Sequence, residues 1–79
     1  MLLGWPYTIV VDGRDGVEVK YEKIAFFGTA KVTVTGWEAV LLVNDQRWVI
    51  EVVGRSEYRG ELEGVHSQFV SRFRLSAGQ

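Results

Sequence analysis

The 79-residue chain reads as an all-β domain, a small barrel or roll of five to six short antiparallel strands. Three observations lead there. Valine occurs 13 times against four alanines, a ratio that favours pleated, half-buried surface over helix. Nine glycines punctuate the chain at short intervals, as they do between short strands. Several stretches alternate apolar and polar residues with a period of two. The length fits a single domain over residues 1–79.

Tyr7 to Val11 reads as the first strand, with Pro6 just ahead of it, where a missing N–H does little harm. Asp12-Gly13-Arg14-Asp15-Gly16 is a turn, because Asp-Gly supplies the positive φ that tight hairpins need. Val17, Val19 and Tyr21 then alternate with Glu18, Lys20 and Glu22. Ile24 and Phe26 fall on the opposite parity, which predicts a bulge or bend near Glu22-Lys23. Ala30, Val32 and Val34 form a third strand, which Gly36 ends. Trp37 to Val43 is a fourth, and its Val40-Leu41-Leu42-Val43 run predicts burial on both faces. Asn44-Asp45 is a two-residue turn, and Gln46 to Val53 is the returning strand. The hairpin from Trp37 to Val53 carries the clearest pattern. Gly54-Arg55-Ser56 is a loop.

The last third admits two readings. Tyr58, Gly60 and Leu62 could form one face of a further strand. From Val65 to Leu75, Leu62, Val65, Phe69, Val70 and Phe73 fit helical spacing, whereas Val65, Phe69, Phe73 and Leu75 fit strand alternation. The strand is preferred, since Val, Phe and Ser are weak helix formers and Gly64 precedes them. The alternative is an α+β domain with a C-terminal helix over residues 62–75. Ser76 to Gln79 reads as a frayed tail. No internal repeat or low-complexity tract is visible.

The totals bound the function. Hydrophobic residues at 47% and charged residues at 24% are ordinary globular values, so disorder is not expected. Surface scaling at this mass gives about 8,000 Å² buried on folding, and at ~25 cal/mol per Å² its apolar part contributes about 120 kcal/mol. Ordering the chain at ~1.5 kcal/mol per residue costs about the same. A domain so balanced gains from further burial. The absence of cysteine removes disulfides, and one histidine without thiols removes a structural zinc. Self-association is the remaining common route.

Net charge is −1, without the basic excess usual in nucleic-acid binders. The apolar start Met1-Leu2-Leu3-Gly4-Trp5 is too short for a signal h-region, and no apolar run is long enough to span a bilayer. A cytoplasmic protein with no membrane partner is therefore expected.

Catalytic groups are sparse. His66 is the only histidine, no serine sits in a nucleophile-elbow pattern, and His66 reads as an exposed strand or loop residue. Glu57, Glu61 and Glu63 interleave with Arg55 and Arg59, as on a solvated surface. Asp12 and Asp15 lack calcium-loop spacing, and Gly13 and Gly16 match no phosphate loop. No enzyme activity, cofactor or metal is expected.

The aromatic residues are the better lead. Trp37 and Trp48 bracket the strongest hairpin and are expected in the core. Trp5, beside Pro6, should either lock the first strand down or dock on another chain. Trp, Tyr and Arg are the usual anchors of interfaces. Trp5, Tyr58, Arg72 and Arg74 are thus the candidate interaction surface. The expected function is a non-enzymatic protein-interaction or assembly module, its partner another protein or a second copy. The alternative is a single-stranded nucleic-acid binder using Lys20, Lys23, Lys31, Arg72 and Arg74. A small-ligand barrel is a third reading.

Overall fold

The computed structural model describes residues 1–74, and within them it is mostly β. Four antiparallel strands form one open sheet in the order β1-β2-β3-β4. They are β1 (Tyr7–Val11), β2 (Arg14–Phe27), β3 (Ala30–Val43) and β4 (Gln46–Arg55). A short 3₁₀ turn, Ser56–Tyr58, leads into one helix, α1 (Arg59–Arg72). Leu75 and the Ser76–Gln79 tail lie outside the described residues.

Two-residue turns make the sheet a simple meander. Asp12 and Gly13 have φ of 51° and 74°, and Asn44 and Asp45 have 52° and 64°. Positive φ at both central positions gives the hairpin twist that matches right-twisted strands. The β2–β3 hairpin closes between Phe27 and Ala30, with Gly28 at φ 65°.

The expected five to six strands are therefore four, and among the described residues the sheet does not close into a barrel: β1 and β4 are its two edges. Three local readings change with it. Gly36 does not end a strand, because β3 runs through it and the Tyr21 ring lies where a Cβ would stand. Glu22-Lys23 carries no bulge, since the β2–β3 register is unbroken from Gly16↔Leu41 to Phe27↔Ala30. Ile24 and Phe26 change parity because this end of the ribbon lies beyond the core, and both are exposed. Of the strand preferred over residues 65–75, residues 65–72 are instead part of α1, and Phe73 beyond it is extended.

Paired residues share a face. One face carries Val11, Ala39, Leu41, Val43 and Ile50, the buried core, against which Ile9, Trp48, Val70 and Phe73 pack. Leu41 is fully buried and lies over Gly16, where a Cβ would collide with it. Leu62 lies in the same way over Gly54. The docking stripe of α1 is thus Leu62, His66 and Val70, spaced four and four, with Phe73 packing just beyond the helix end. Gly60 and Gly64 each weaken an isolated helix by about 1 kcal/mol, so this stripe rather than propensity holds α1.

The N-terminal residues extend the β1 edge. The Leu3 N–H donates to the Lys20 carbonyl at 2.7 Å, and the Glu22 N–H donates to the Met1 carbonyl at 2.9 Å. Between this segment and β1, Trp5 is 90% exposed.

Candidate functional site

Two features stand out from ordinary packing. The first is a polar cluster in the seam between α1 and the sheet. Pairing of Tyr7 with Glu18 places both on the helix-side face, and α1 brings His66 onto them. The Tyr7 hydroxyl donates to one Glu18 carboxylate oxygen, and His66 Nε2 bonds the other. The His66 ring stacks on Trp37 at 5.6 Å between centroids, and Lys20 Nζ lies 5.2 Å from the Trp37 ring centre.

Glu18 is only 2% exposed. A carboxylate so buried must be paired or hydrogen-bonded, and here both oxygens are engaged. The Tyr7 phenol is pushed well above its ordinary pKa, by partial burial first, then by its bond to Glu18 and the charges of Glu18 and Glu63. The neutral phenol is thereby retained as a donor. Among the described residues no three His, Asp or Glu side chains converge as metal ligands. The arrangement staples helix to sheet.

The second feature is the other side of the sheet, the outer face, which no element covers among the described residues. Its side chains form rows across β2, β3 and β4. One row is Leu42 and Arg47, and the next is Val17, Val40 and Val49. Val19, Glu38 and Glu51 follow, then Tyr21, Gly36 and Val53, then Lys23, Val34 and Arg55. Ala25 and Val32, then Phe27 and Ala30, complete the ribbon. Val17, Val49 and Val53 are about half exposed, Phe27 is exposed, and Leu42 is 72% exposed. Burial on both faces of the Val40–Val43 run is thus corrected: Leu41 and Val43 are buried, while Leu42 meets solvent.

Across the middle of this face the Tyr21 ring lies over Gly36, and its hydroxyl donates to Glu51 at 2.5 Å. Partial burial, that bond and the charges of Glu51 and Glu38 raise the Tyr21 pKa strongly. Beside it, Lys23, Phe27, Val34, Val53 and Arg55 help line a concavity of about 270 Å³.

The residues singled out in the sequence are dispersed. Trp37 is buried and Trp48 half-buried, both on the helix side. Tyr58 and Arg72 stand at opposite ends of α1, and Trp5 precedes β1. Arg74 Nε is 3.7 Å from Asp12, holding the end of the helical segment to the first hairpin. His66 is not an exposed loop residue but is buried on the inner side of α1. Glu18 had no sequence signal beyond its place in an alternating strand. The outer face did have one, in the doubly apolar Val40–Val43 run. No protein-family model matches the chain, and neither the curated proteins nor the solved structures contain a match. Among the described residues, no helix is long and apolar enough to cross a membrane.

Proposed function

We propose that this domain is a non-enzymatic assembly module that self-associates through the outer face of its sheet. The observation that carries the proposal is Leu42, 72% exposed among Val17, Val40 and Val49 on a face that no other element covers among the described residues. Contiguous apolar surface of this kind marks interaction sites. The accessible surface supports it: 5666 Å² for an 8.9 kDa chain, where a compact monomer has about 4,800 Å². The excess is shared between the outer face and other exposed apolar residues, among them Trp5 and Phe26.

The polar cluster supports a non-catalytic reading, because Glu18 is buried with both oxygens hydrogen-bonded and its partner His66 is stacked on Trp37. Light scattering on the purified protein tests the proposal. Association is expected at tens to hundreds of micromolar, and a strict monomer at high micromolar concentration would remove it.

One observation favours a second reading, single-stranded nucleic-acid binding. On α1 and just beyond it, Phe69, Phe73, Arg72 and Arg74 line a shallow cleft of about 490 Å³. Aromatic rings and arginines together can stack bases and contact phosphates. Against it, Lys20 and Lys23 lie over Trp37 and Tyr21, and Arg74 reaches Asp12. Salt-sensitive oligonucleotide binding would support this reading, and its absence at about 50 mM salt would end it.

A further inference from the structure

Resting on the self-association reading, we infer the arrangement of the two copies. They stack outer face to outer face about a two-fold axis that lies in the interface. This axis runs across the strands at the level of Tyr21, Gly36 and Val53. The charge pattern of the face selects that operation.

Two like sheets packed in the aligned mode keep their strands within about 30° of each other. A symmetric pair then has two choices, an axis along the strands or an axis across them. An axis along the strands sets every row against itself. The adjacent Glu38 and Glu51 would face the same two carboxylates, and Lys23 and Arg55 would face the same two cations. Like charges brought together at an interface repel and are disfavoured.

An axis across the strands through the Tyr21–Gly36–Val53 row exchanges the rows on its two sides. Glu51 then lies over Arg55 of the second copy, and Glu38 lies over Val34, between the second copy's Lys23 and Arg55. On β2 and β3 the next rows match as well, while Val49 and Arg47 of β4 lie past the end of the second copy's β4. Val17 and Val40 fall over Ala25 and Val32, and Leu42 falls over Ala30 beside Phe27. Moving the axis one row either way sets Glu38 and Glu51, or Lys23 and Arg55, against themselves. The matched register is the only one of these that joins acid to base and apolar to apolar.

The middle row suits the axis. Gly36 has no side chain, and Tyr21 lies over it. β2 and β3 overlap over about 40 Å, and β4 over only its Glu51–Arg55 stretch. Two copies together thus lose on the order of 950 Å², close to the ~1,000 Å² expected of a specific interface. Arg55 is already held toward Glu57 at 2.9 Å, and Glu51 toward Tyr21, so both charges are positioned before the copies meet.

The chain has no cysteine, so a single introduced thiol reports on geometry directly. Val53 lies on the axis and faces its own copy. Leu42 lies three rows away, so two Leu42 positions are about 40 Å apart. After sedimentation shows that each variant still associates, Val53→Cys is expected to cross-link to a covalent dimer with a short bis-maleimide. Leu42→Cys is expected not to. Glu51→Lys and Arg55→Glu should each weaken dimerisation about tenfold, and the double exchange should restore it to within about threefold. Cross-linking at Leu42 but not at Val53, or failure of the double exchange to restore affinity, would overturn this geometry and leave self-association standing. Absence of any concentration-dependent association would overturn both.

Discussion

Leu41 and Leu42 are neighbours in sequence with opposite surroundings, and truncating each in turn separates folding from assembly. Leu41 is fully buried over Gly16 among Val11, Ala39, Val43 and Ile50. Leu41→Ala therefore removes buried methyl groups and leaves a cavity, at a cost of about 3 to 5 kcal/mol. That is a large fraction of the ~4 to 12 kcal/mol expected for a domain of this length. Leu42 is 72% exposed. Full burial of a leucine contributes about 2 kcal/mol, so the isolated chain loses only about 0.5 kcal/mol in Leu42→Ala. The remainder is realised only when a second copy covers the face. Urea unfolding can be followed by the fluorescence of buried Trp37 at two protein concentrations, one dilute and one well above the dissociation constant. At the dilute concentration Leu41→Ala should be severely destabilised and Leu42→Ala nearly unchanged. At the high concentration the parent chain should gain stability by mass action, and Leu42→Ala should gain less. If Leu42→Ala cost as much as Leu41→Ala in dilute solution, the outer face would already be covered within the single chain and the reasoning would fail.

Other outcomes follow from the same contacts. His66→Phe keeps a ring against Trp37 but leaves the Glu18 carboxylate short of a partner. It should cost about 3 kcal/mol in chemical unfolding, and a near-neutral effect would remove the staple from the account. Gly64→Ala, at an exposed position in α1 with open space around it, should stabilise by roughly 0.5 to 1 kcal/mol, read as a higher melting temperature. Gly36→Val would unseat the Tyr21 ring and should lower stability by about 1 to 3 kcal/mol. Tyr7 and Tyr21 have raised phenol pKa values, so the folded chain keeps these protons where the unfolded chain releases them. Their contribution is complete below about pH 10 and falls as the pH rises above it. Tyr21→Phe should flatten the loss of stability between about pH 10 and 12, and an unchanged slope would contradict the shift.

The hairpins were legible because turn chemistry is local. Asp12-Gly13 and Asn44-Asp45 name their own positive-φ positions; the second turn forms where the sequence places it, and the first is shorter than read, because Arg14 to Gly16 already belong to β2. Two glycines misled because their role is set by distant partners. Gly16 and Gly36 lie inside long strands, where Leu41 and Tyr21 from the adjacent strand fill the missing Cβ positions. Reading Gly36 as a breaker cut one 14-residue strand in two and raised the strand count. The helix was obscured by chemistry. Its docking stripe contains His66, which counts as polar in any hydrophobic pattern, while Val65 and Phe69 lie exposed and support the wrong alternation. His66 faces the sheet because Glu18 receives it there, and that pairing spans 48 residues of sequence. The doubly apolar Val40–Val43 run led to an expectation of burial on two faces, but among the described residues only the Leu41 and Val43 face is covered, by α1, and Leu42 meets solvent.

The central claim is that a second copy covers the outer face. Sedimentation of the parent chain and of Leu42→Asp, from about one to several hundred micromolar, tests it most directly. A charge on that exposed position leaves the fold intact but burdens the interface with a desolvated carboxylate. The account predicts that the parent mass rises from that of one 8.9 kDa chain toward twice that value, while Leu42→Asp remains a folded monomer throughout. A parent that stays at 8.9 kDa over the whole range, or a Leu42→Asp variant that associates as well as the parent, would contradict it.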